Sequence, residues 1–179
     1  MTKRTDLITD AELRKYSDPR VISAGLVRLA KSLDEKPPAT VFISHAHADA
    51  DLVEATRRFL ASLGVTIYVD WEDPEMPSAT STTTASTIKD KIKRLGKVVV
   101  LASTKAQESK WVPWELGFAD AAIGLTRIAV LGVADNQANW DGAEYLGLYP
   151  SISKGSDGNW GVFEAGSSRG VTLEAWLKR

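Results

Sequence analysis

Short apolar runs rich in β-branched residues alternate with amphipathic segments of helical period through the middle of this chain. The apolar runs are Thr40–Ser44, Val65–Trp71, Lys97–Ala102 and Thr126–Val133. Their length is that of a buried strand and too short for a buried helix. Strands that alternate with helical segments are typical of a parallel sheet with helices on its faces. We therefore predict an α/β fold.

Three helices are predicted between these strands. The first starts at Asp49–Asp51 and is ended by Gly64. The second covers 87–95 and is ended by Gly96, and the third covers 111–123. Glycine just after the last helical residue is the usual stop signal of a helix.

A loop rich in proline, serine and threonine, Glu72–Ser86, separates the second strand from the second helix. Loops of this length inside a compact domain are usually functional or partly disordered. We predict that this loop is a lid, which orders over a ligand or against a second copy of the chain.

The residues before the alternating region predict a helix that extends to about Glu35. Ser17–Pro19 is a suitable start for it, because serine and aspartate cap helices and proline fits the first turn. We expect an N-terminal helical extension over 1–37 and a main domain over 38–179.

The last part of the main domain, 135–179, has a weaker and atypical pattern. Asp157–Gly158 between two apolar runs predicts a β-hairpin. Thr172 is a predicted N-cap for a closing helix. Three late tryptophans are expected to pack an additional layer: Trp140, Trp160 and Trp176.

Composition excludes several classes of protein. Among 179 residues there is no cysteine, so disulfides, thiolate metal sites and cysteine nucleophiles are excluded. The net charge is −1, from 22 basic and 23 acidic residues, and provides no general attraction for nucleic acid or anionic membranes. The charged N-terminus is not followed by an apolar run, and no run of 18 apolar residues occurs. We expect a cytoplasmic protein.

The strand sequences and the start of the third helix resemble TIR (Toll/interleukin-1 receptor) domains from about Pro38 to Val133. The most specific element is Trp111-x-x-x-Glu115, which is similar to the Trp-x-x-x-Glu motif of NAD-cleaving bacterial TIR proteins. The resemblance implies a flavodoxin-like TIR fold, with a central parallel sheet flanked by helices. It also implies an active cleft at the carboxyl ends of the strands, where such sheets bind ligands.

The resemblance also implies site residues. Glu115 corresponds to the catalytic glutamate of the family and Trp111 to its aromatic partner. Residues in the loops after the first two strands are expected to contact the substrate: Ser44, His45, His47, Asp70 and Trp71.

The implied reaction breaks the bond between nicotinamide and ribose in NAD⁺, which is a substrate here and not a cofactor. Positive charge develops on the ribose during such a step. A fixed carboxylate stabilises that charge, and nicotinamide leaves as a neutral molecule, so no general acid is required. One glutamate is therefore sufficient.

Glu115 also has a purely structural interpretation. Pro113 suits the first position of a helix, which would place Glu115 at the third position as a capping and dipole partner. Trp111 is expected to wall the pocket, whereas Trp114 and Phe118 are expected in the core.

His45-x-His47-x-Asp49 resembles the start of the metal-binding motif of metallo-β-lactamases. Ala50 stands where that motif needs a further histidine, and the chain has only two histidines. We therefore predict no metal.

Several charged residues have structural alternatives. Asp49 and Asp51 are expected to cap the first helix, with Glu54 completing a capping box. Asp70 either contacts the substrate or caps the following loop. The second helix is expected to carry a basic surface that is solvated or used in assembly: Lys89, Lys91, Lys93 and Arg94.

Three functions remain open at the level of sequence. The first is an NAD⁺ glycohydrolase or cyclase of bacterial anti-phage defence, which in a Thoeris-like system sends a nucleotide messenger to a separate effector protein. The second is a non-catalytic module for TIR–TIR self-association. The third is an enzyme that resembles nucleoside deoxyribosyltransferases.

Overall fold

The computed structural model describes residues 2–18, 39–63, 65–77 and 81–178. The predicted helix over 19–35 lies outside them. The elements, in chain order, are β1 (Thr2–Lys3), β2 (Ile8–Thr9), α1 (Asp10–Arg14), β3 (Ala39–Ser44), α2 (Ala50–Ala61), β4 (Val65–Tyr68), α3 (Thr82–Leu95), β5 (Val98–Ala102), α4 (Trp111–Ile123), β6 (Ile128–Ala134), β7 (Asn139–Trp140), β8 (Ser151–Lys154), β9 (Trp160–Phe163), β10 (Gly170–Thr172) and α5 (Leu173–Lys178).

The main sheet has the order β10-β9-β8-β6-β5-β3-β4, and β2 also pairs with β6. Strands β4, β3, β5, β6 and β8 are parallel, whereas β9 and β10 are antiparallel at one edge. The five parallel strands have the 2-1-3-4-5 order of flavodoxin-like folds. This confirms the predicted fold class.

Helices cover both faces of the sheet. Alternate side chains of each strand point to opposite faces, so the strands contribute to two apolar layers. Helices α1, α2 and α5 pack on one face, and α3 and α4 pack on the other. Strands β5 and β6 are buried along their whole length, which explains their continuous apolar sequence. Among the described helices, none has the length and apolar character to cross a membrane.

Helix α3 begins at Thr82, five residues before the predicted start. The Ser81 Oγ accepts a hydrogen bond from the Thr84 amide at 3.3 Å, and the Thr84 Oγ1 accepts one from the Ser81 amide at 3.1 Å. This is a capping box in which threonine replaces the usual Glu or Gln. The predicted loop over 72–86 is therefore shorter than expected.

The predicted hairpin and closing helix are confirmed. Strands β8 and β9 pair antiparallel, and Gly158 in their turn has φ +76°, a conformation that favours glycine. The Thr172 Oγ1 accepts a hydrogen bond from the Ala175 amide at 3.2 Å, which caps α5.

The late tryptophans attach the C-terminal part to the sheet within its two apolar layers, and not in the additional layer that the sequence suggests. The Trp140 indole donates to the Ala102 carbonyl at 3.2 Å, and the Trp176 indole donates to the Thr126 carbonyl at 2.9 Å. The Trp160 ring packs against another aromatic ring on α2, with centroids 5.2 Å apart.

The N-terminal segment contains the helix α1 but also joins the sheet. Strand β1 pairs with β7, and β2 pairs in parallel with the end of β6. The predicted boundary between 37 and 38 stays a prediction, because the preceding residues lie outside the described ranges.

Candidate active site

A pocket of about 230 Å³ lies at the carboxyl ends of the strands, next to the end of β3. Here the order of the strands reverses between β3 and β5, and doubly wound sheets bind ligands at this kind of position. The pocket is lined by His45, His47, Asp70, Thr84, Ile88, Ser109, Trp111 and Glu115.

Glu115 lies in this pocket with only 4% of its surface exposed. Its Oε2 accepts a hydrogen bond of 2.6 Å from the Ser44 hydroxyl at the end of β3. In the described part of the chain, no lysine or arginine forms an ion pair with it. A buried carboxyl group without a cationic partner is costly for stability, and such groups concentrate at functional sites.

Glu115 is not a capping residue. Helix α4 begins at Trp111, so Pro113 is its third residue and Glu115 lies in its second turn. The Ser109 Oγ instead accepts the amide of Trp111 at 3.2 Å and the amide of Val112 at 3.3 Å. The structural alternative for Glu115 is therefore wrong.

Burial raises the pKa of Glu115 to about 8. The hydrogen bond from Ser44 acts in the opposite direction, and the nearby carboxylate of Asp70 adds to the increase. At neutral pH the carboxyl group of the free protein is therefore mostly protonated. A cation placed beside it favours the ionised form.

His45 is buried beside Glu115, and its two ring nitrogens differ in their surroundings. Its Nδ1 lies 3.1 Å from the Ile43 carbonyl oxygen. Its Nε2 is buried and has no hydrogen-bond partner among the described residues, although Asp70 Oδ1 lies 3.6 Å away. Burial lowers the pKa of His45, and this outweighs the opposite effects of the hydrogen bond with Ile43 and of the Asp70 carboxylate.

Asp70 bonds to the loop that follows it, and its contact with the substrate stays a prediction. Its Oδ1 accepts a hydrogen bond from the Trp71 amide at 2.9 Å, within the short turn Asp70–Glu72 after β4. The same carboxylate also lines the pocket.

The aromatic rings of Trp71 and His47 lie next to His45 at the mouth of the pocket. The Trp71 ring is 41% exposed and contacts His45 edge-on at 4.5 Å and His47 at 6.3 Å. His47 is itself exposed. An exposed indole held in this way offers a flat surface on which a planar ring can stack.

Trp111 forms part of the pocket wall, as the resemblance implies. Its ring packs edge-on against Trp114 at 5.2 Å, and Trp114 stacks on Phe118 at 6.3 Å. Trp114 and Phe118 are half-buried and pack against the core from its edge, so their predicted place inside the core is only partly correct.

The predicted capping of α2 by aspartates is wrong. Asp49 stands at the N-cap position, but its side chain makes no capping bond; it accepts a hydrogen bond from the Ser103 hydroxyl at the end of β5. Asp51 is exposed, 3.6 Å from Arg14, and Glu54 pairs with arginines on its own helix. The neighbouring strands β3 and β5 bring Ser103 to Asp49, which the local sequence does not show.

The predicted basic surface on α3 is also partly wrong, because Lys91 is only 7% exposed. Its ammonium group lies 2.6 Å from Asp73 and 2.9 Å from Glu75, and the Tyr68 hydroxyl donates to Asp73 at 2.6 Å. The hydrogen bond from Lys91 lowers the pKa of Asp73 to about 2. These contacts fix the start of the predicted lid against α3.

Sequence reasoning missed three residues of the pocket wall. Thr84 and Ile88 come from the early turns of α3, and Ser109 precedes α4. The spacing of Ser81 and Thr84 is the signal that would have started α3 earlier and placed both residues at the site. Within the described ranges, no group of three or more His, Asp or Glu side chains is arranged to hold a metal ion.

Comparisons with known proteins agree with this geometry. Residues 41–149 match the family model of the TIR domain. The chain is also 30% identical over 145 residues to a Bacillus cereus (strain MSX-D12) protein named "Probable 3' cyclic ADP-D-ribose synthase ThsB'". That match covers 79% of this chain and 74% of the relative.

Proposed function

This chain belongs to the TIR domain family, and from that premise we propose that it breaks the nicotinamide–ribose bond of NAD⁺ with Glu115 as the essential carboxylate. The name of the relative from Bacillus cereus supports a cyclic ADP-ribose as the product. Such a product serves as a messenger to a separate effector in bacterial anti-phage defence. The protein acts in the cytoplasm.

One observation carries the proposal: the buried carboxyl group of Glu115 lies in the pocket without a cationic partner among the described residues. Nicotinamide in NAD⁺ is a cation, and positive charge moves onto the ribose as the bond breaks. Binding of this cation lowers the pKa of Glu115 and releases its proton. The resulting carboxylate stabilises the transition state in a site from which water is excluded.

The other pocket residues support this role. The Ser44 hydroxyl holds one oxygen of the carboxylate, which fixes its direction. Trp111, Thr84 and Ile88 form a wall against water. The cavity of about 230 Å³ is smaller than the roughly 300–1,000 Å³ of typical ligand sites. It therefore suits the nicotinamide and its ribose, while the rest of the dinucleotide extends past His47 and Trp71.

Self-association completes the site. Trp111 also lines a second, apolar depression together with Ala85, Lys110 and Trp114. A second copy that covers this depression excludes further water. The rate of nicotinamide release per chain is therefore expected to rise with protein concentration.

The test uses the purified full chain at high concentration with NAD⁺, and chromatography measures the nicotinamide released. Glu115→Gln is expected to lower the rate by at least about a hundredfold, the effect of losing one preorganised electrostatic contact. The control Glu144→Gln makes the same side-chain change at an exposed position and is expected to keep the wild-type rate.

Other results identify the alternatives. No nicotinamide from the wild-type protein, even in the assembled state, favours a binding module for TIR–TIR association. Base exchange on deoxynucleosides without attack on NAD⁺ favours an enzyme that resembles nucleoside deoxyribosyltransferases. Equal rates in wild type and Glu115→Gln contradict the role of Glu115.

A further inference from the structure

We infer that His45 Nε2 accepts the proton of the hydroxyl group that captures the ribose, and that it thereby directs the reaction toward cyclisation. The inference rests on the proposed function and deepens it. Its starting point is the buried Nε2 without a hydrogen-bond partner among the described residues, in the pocket that also holds Glu115.

The surroundings of the ring select one neutral tautomer. Nδ1 lies 3.1 Å from the Ile43 carbonyl oxygen, so this nitrogen carries the hydrogen and donates it. The opposite tautomer would place a nitrogen lone pair against a carbonyl oxygen at that distance. Nε2 therefore carries a lone pair and is available as a proton acceptor.

Asp70 prepares His45 for this task. Its Oδ1 is 3.6 Å from Nε2, too far for a hydrogen bond but close enough to stabilise a positively charged imidazole ring. The Trp71 amide fixes this oxygen at 2.9 Å. His45 is thus neutral at rest and gains a counter-ion when it takes up a proton.

The charged groups around His45 are few. Asp70 and Asp49 raise the pKa of His45, whereas His47 and the burial of the ring lower it. Glu115 shares the pocket. Burial has the largest effect, so the imidazole is mainly neutral at pH 7.

The step balances as follows. The C–N bond between ribose and nicotinamide breaks, and its electron pair stays on the nicotinamide nitrogen, which becomes neutral. A C–O bond forms from the anomeric carbon to a hydroxyl group of the adenosine ribose. The hydroxyl proton passes to His45 Nε2 and is later released to water. NAD⁺ thus yields a cyclic product, nicotinamide and one proton.

Burial explains why His45 favours cyclisation over hydrolysis. Its side chain is only 3% exposed, so bulk water has little access to Nε2 once the dinucleotide fills the pocket. An internal hydroxyl group needs a fixed acceptor there, because no solvent carries its proton away. Hydrolysis needs water in the pocket, and that water also connects to solvent and removes the proton.

The test measures the ratio of cyclic product to ADP-ribose, with nicotinamide release recorded in the same samples. The ratio reports how the ribose is captured and is independent of how fast the first bond breaks. His45→Gln is expected to lower the ratio at least about tenfold, within the usual range for loss of a general base. Asp70→Asn leaves the imidazole in place and is expected to lower it by a smaller factor.

The pH profile provides a second readout. In the wild-type protein the ratio should fall as the pH is lowered through the pKa of His45, because the protonated imidazole cannot accept the proton of the hydroxyl group. In His45→Gln the ratio should show no such step. A purely structural role of His45 predicts the same pH profile in both proteins.

The outcomes separate the two proposals. No nicotinamide from wild type refutes the proposed function and this inference together. Nicotinamide with ADP-ribose as the sole product, or an unchanged ratio in His45→Gln, refutes the role of His45 and leaves the proposed cleavage of NAD⁺ by Glu115 intact. If His45→Gln does not fold or does not turn over, the ratio of cyclic product to ADP-ribose in Asp70→Asn tests the inference instead, and an unchanged ratio refutes it. If both His45→Gln and Asp70→Asn fold but release no nicotinamide, the inference is also refuted, because His45 would then act before the hydroxyl group captures the ribose.

Discussion

The pocket at Glu115 is less than half the size of a second cleft, yet it is the pocket for which we propose the reaction. The second cleft, about 560 Å³, lies between β6 and β8. These strands pair only at Val130 and Ser151, because β2 takes the place beside the end of β6. The fork in the sheet leaves open space there.

The two regions differ in how their charged groups are paired. In the cleft, Arg4 lies 2.8 Å from Asp6, and Lys154 lies 3.1 Å from Glu12. In the pocket, Glu115 has no cationic partner among the described residues. The volume of the cleft follows from the divergence of two strands. A functional site is better identified by a buried charged or titratable group that lowers the stability of the fold, such as Glu115.

The largest expected effect is on stability, through Glu115. Its pKa is 4.5 in an unfolded chain and about 8 in the folded protein. The folded state thus keeps a proton that the unfolded state releases above pH 4.5, so stability falls as the pH rises from there to about 8. Glu115→Gln removes this loss and is expected to raise the free energy of unfolding by up to about 5 kcal/mol at pH 9.

The measurement is urea unfolding of both proteins at pH 5 and pH 9. Near pH 5 the two should differ by less than about 1 kcal/mol, because this pH lies only slightly above the pKa of 4.5 at which the unfolded chain begins to release the proton. Glu144→Gln, at an exposed position, should match wild type at either pH. A pH-independent difference for Glu115→Gln would contradict the unpaired state of this carboxyl group.

The second effect is a loss of stability at the cleft without a loss of turnover. Trp140 lines the cleft and donates to the Ala102 carbonyl. Trp140→Ala is expected to cost about 3 kcal/mol, the lower end for removal of a large aromatic ring. Well below the melting temperature, nicotinamide release should stay within about twofold of wild type. A hundredfold loss in the folded variant would make the cleft part of the active site.

The third effect is a loss of substrate binding without a loss of stability, and it concerns Trp71. This ring is exposed at the pocket mouth, so Trp71→Ala should change the free energy of unfolding by less than about 1 kcal/mol. Loss of a stacking surface should raise KM for NAD⁺ by about tenfold. Leu148 is 68% exposed and lies away from the pocket, and Leu148→Ala is the matched control for loss of an exposed apolar side chain. Steady-state kinetics measures KM for NAD⁺ in both variants. An equal KM would show that Trp71 does not contact the substrate.

The smallest effect comes from a paired charge near the cleft. Glu12→Gln keeps the acceptor oxygen that caps α1 and removes only the charge opposite Lys154. The pair is partly exposed, so the expected cost is below about 1 kcal/mol and shrinks at high salt. Thermal melts at low and high salt measure it. A larger loss of stability that does not depend on salt would contradict the view that the charges near the cleft form only weak, solvent-exposed pairs.

Local pattern was enough to predict the strands, because parallel strands buried on both faces are continuously apolar. It failed where a distant element decides the role of a side chain. The sequence predicts that Lys91 lies on a solvated or assembly surface, but Asp73 and Glu75 bind its ammonium group. The sequence predicts that Asp49 caps α2, but Ser103, which follows β5, donates a hydrogen bond to its carboxylate.

The sequence by itself determined which loops share the site. The carboxyl ends of parallel strands meet at one edge of a sheet, so residues after β3, β4 and β5 had to converge, and every predicted site residue lies in or beside the pocket. Only the tertiary structure decided the state of these residues. The raised pKa of Glu115, and the lack of a hydrogen-bond partner for His45 Nε2 among the described residues, depend on burial and on distances of a few ångströms between elements, and packing sets these.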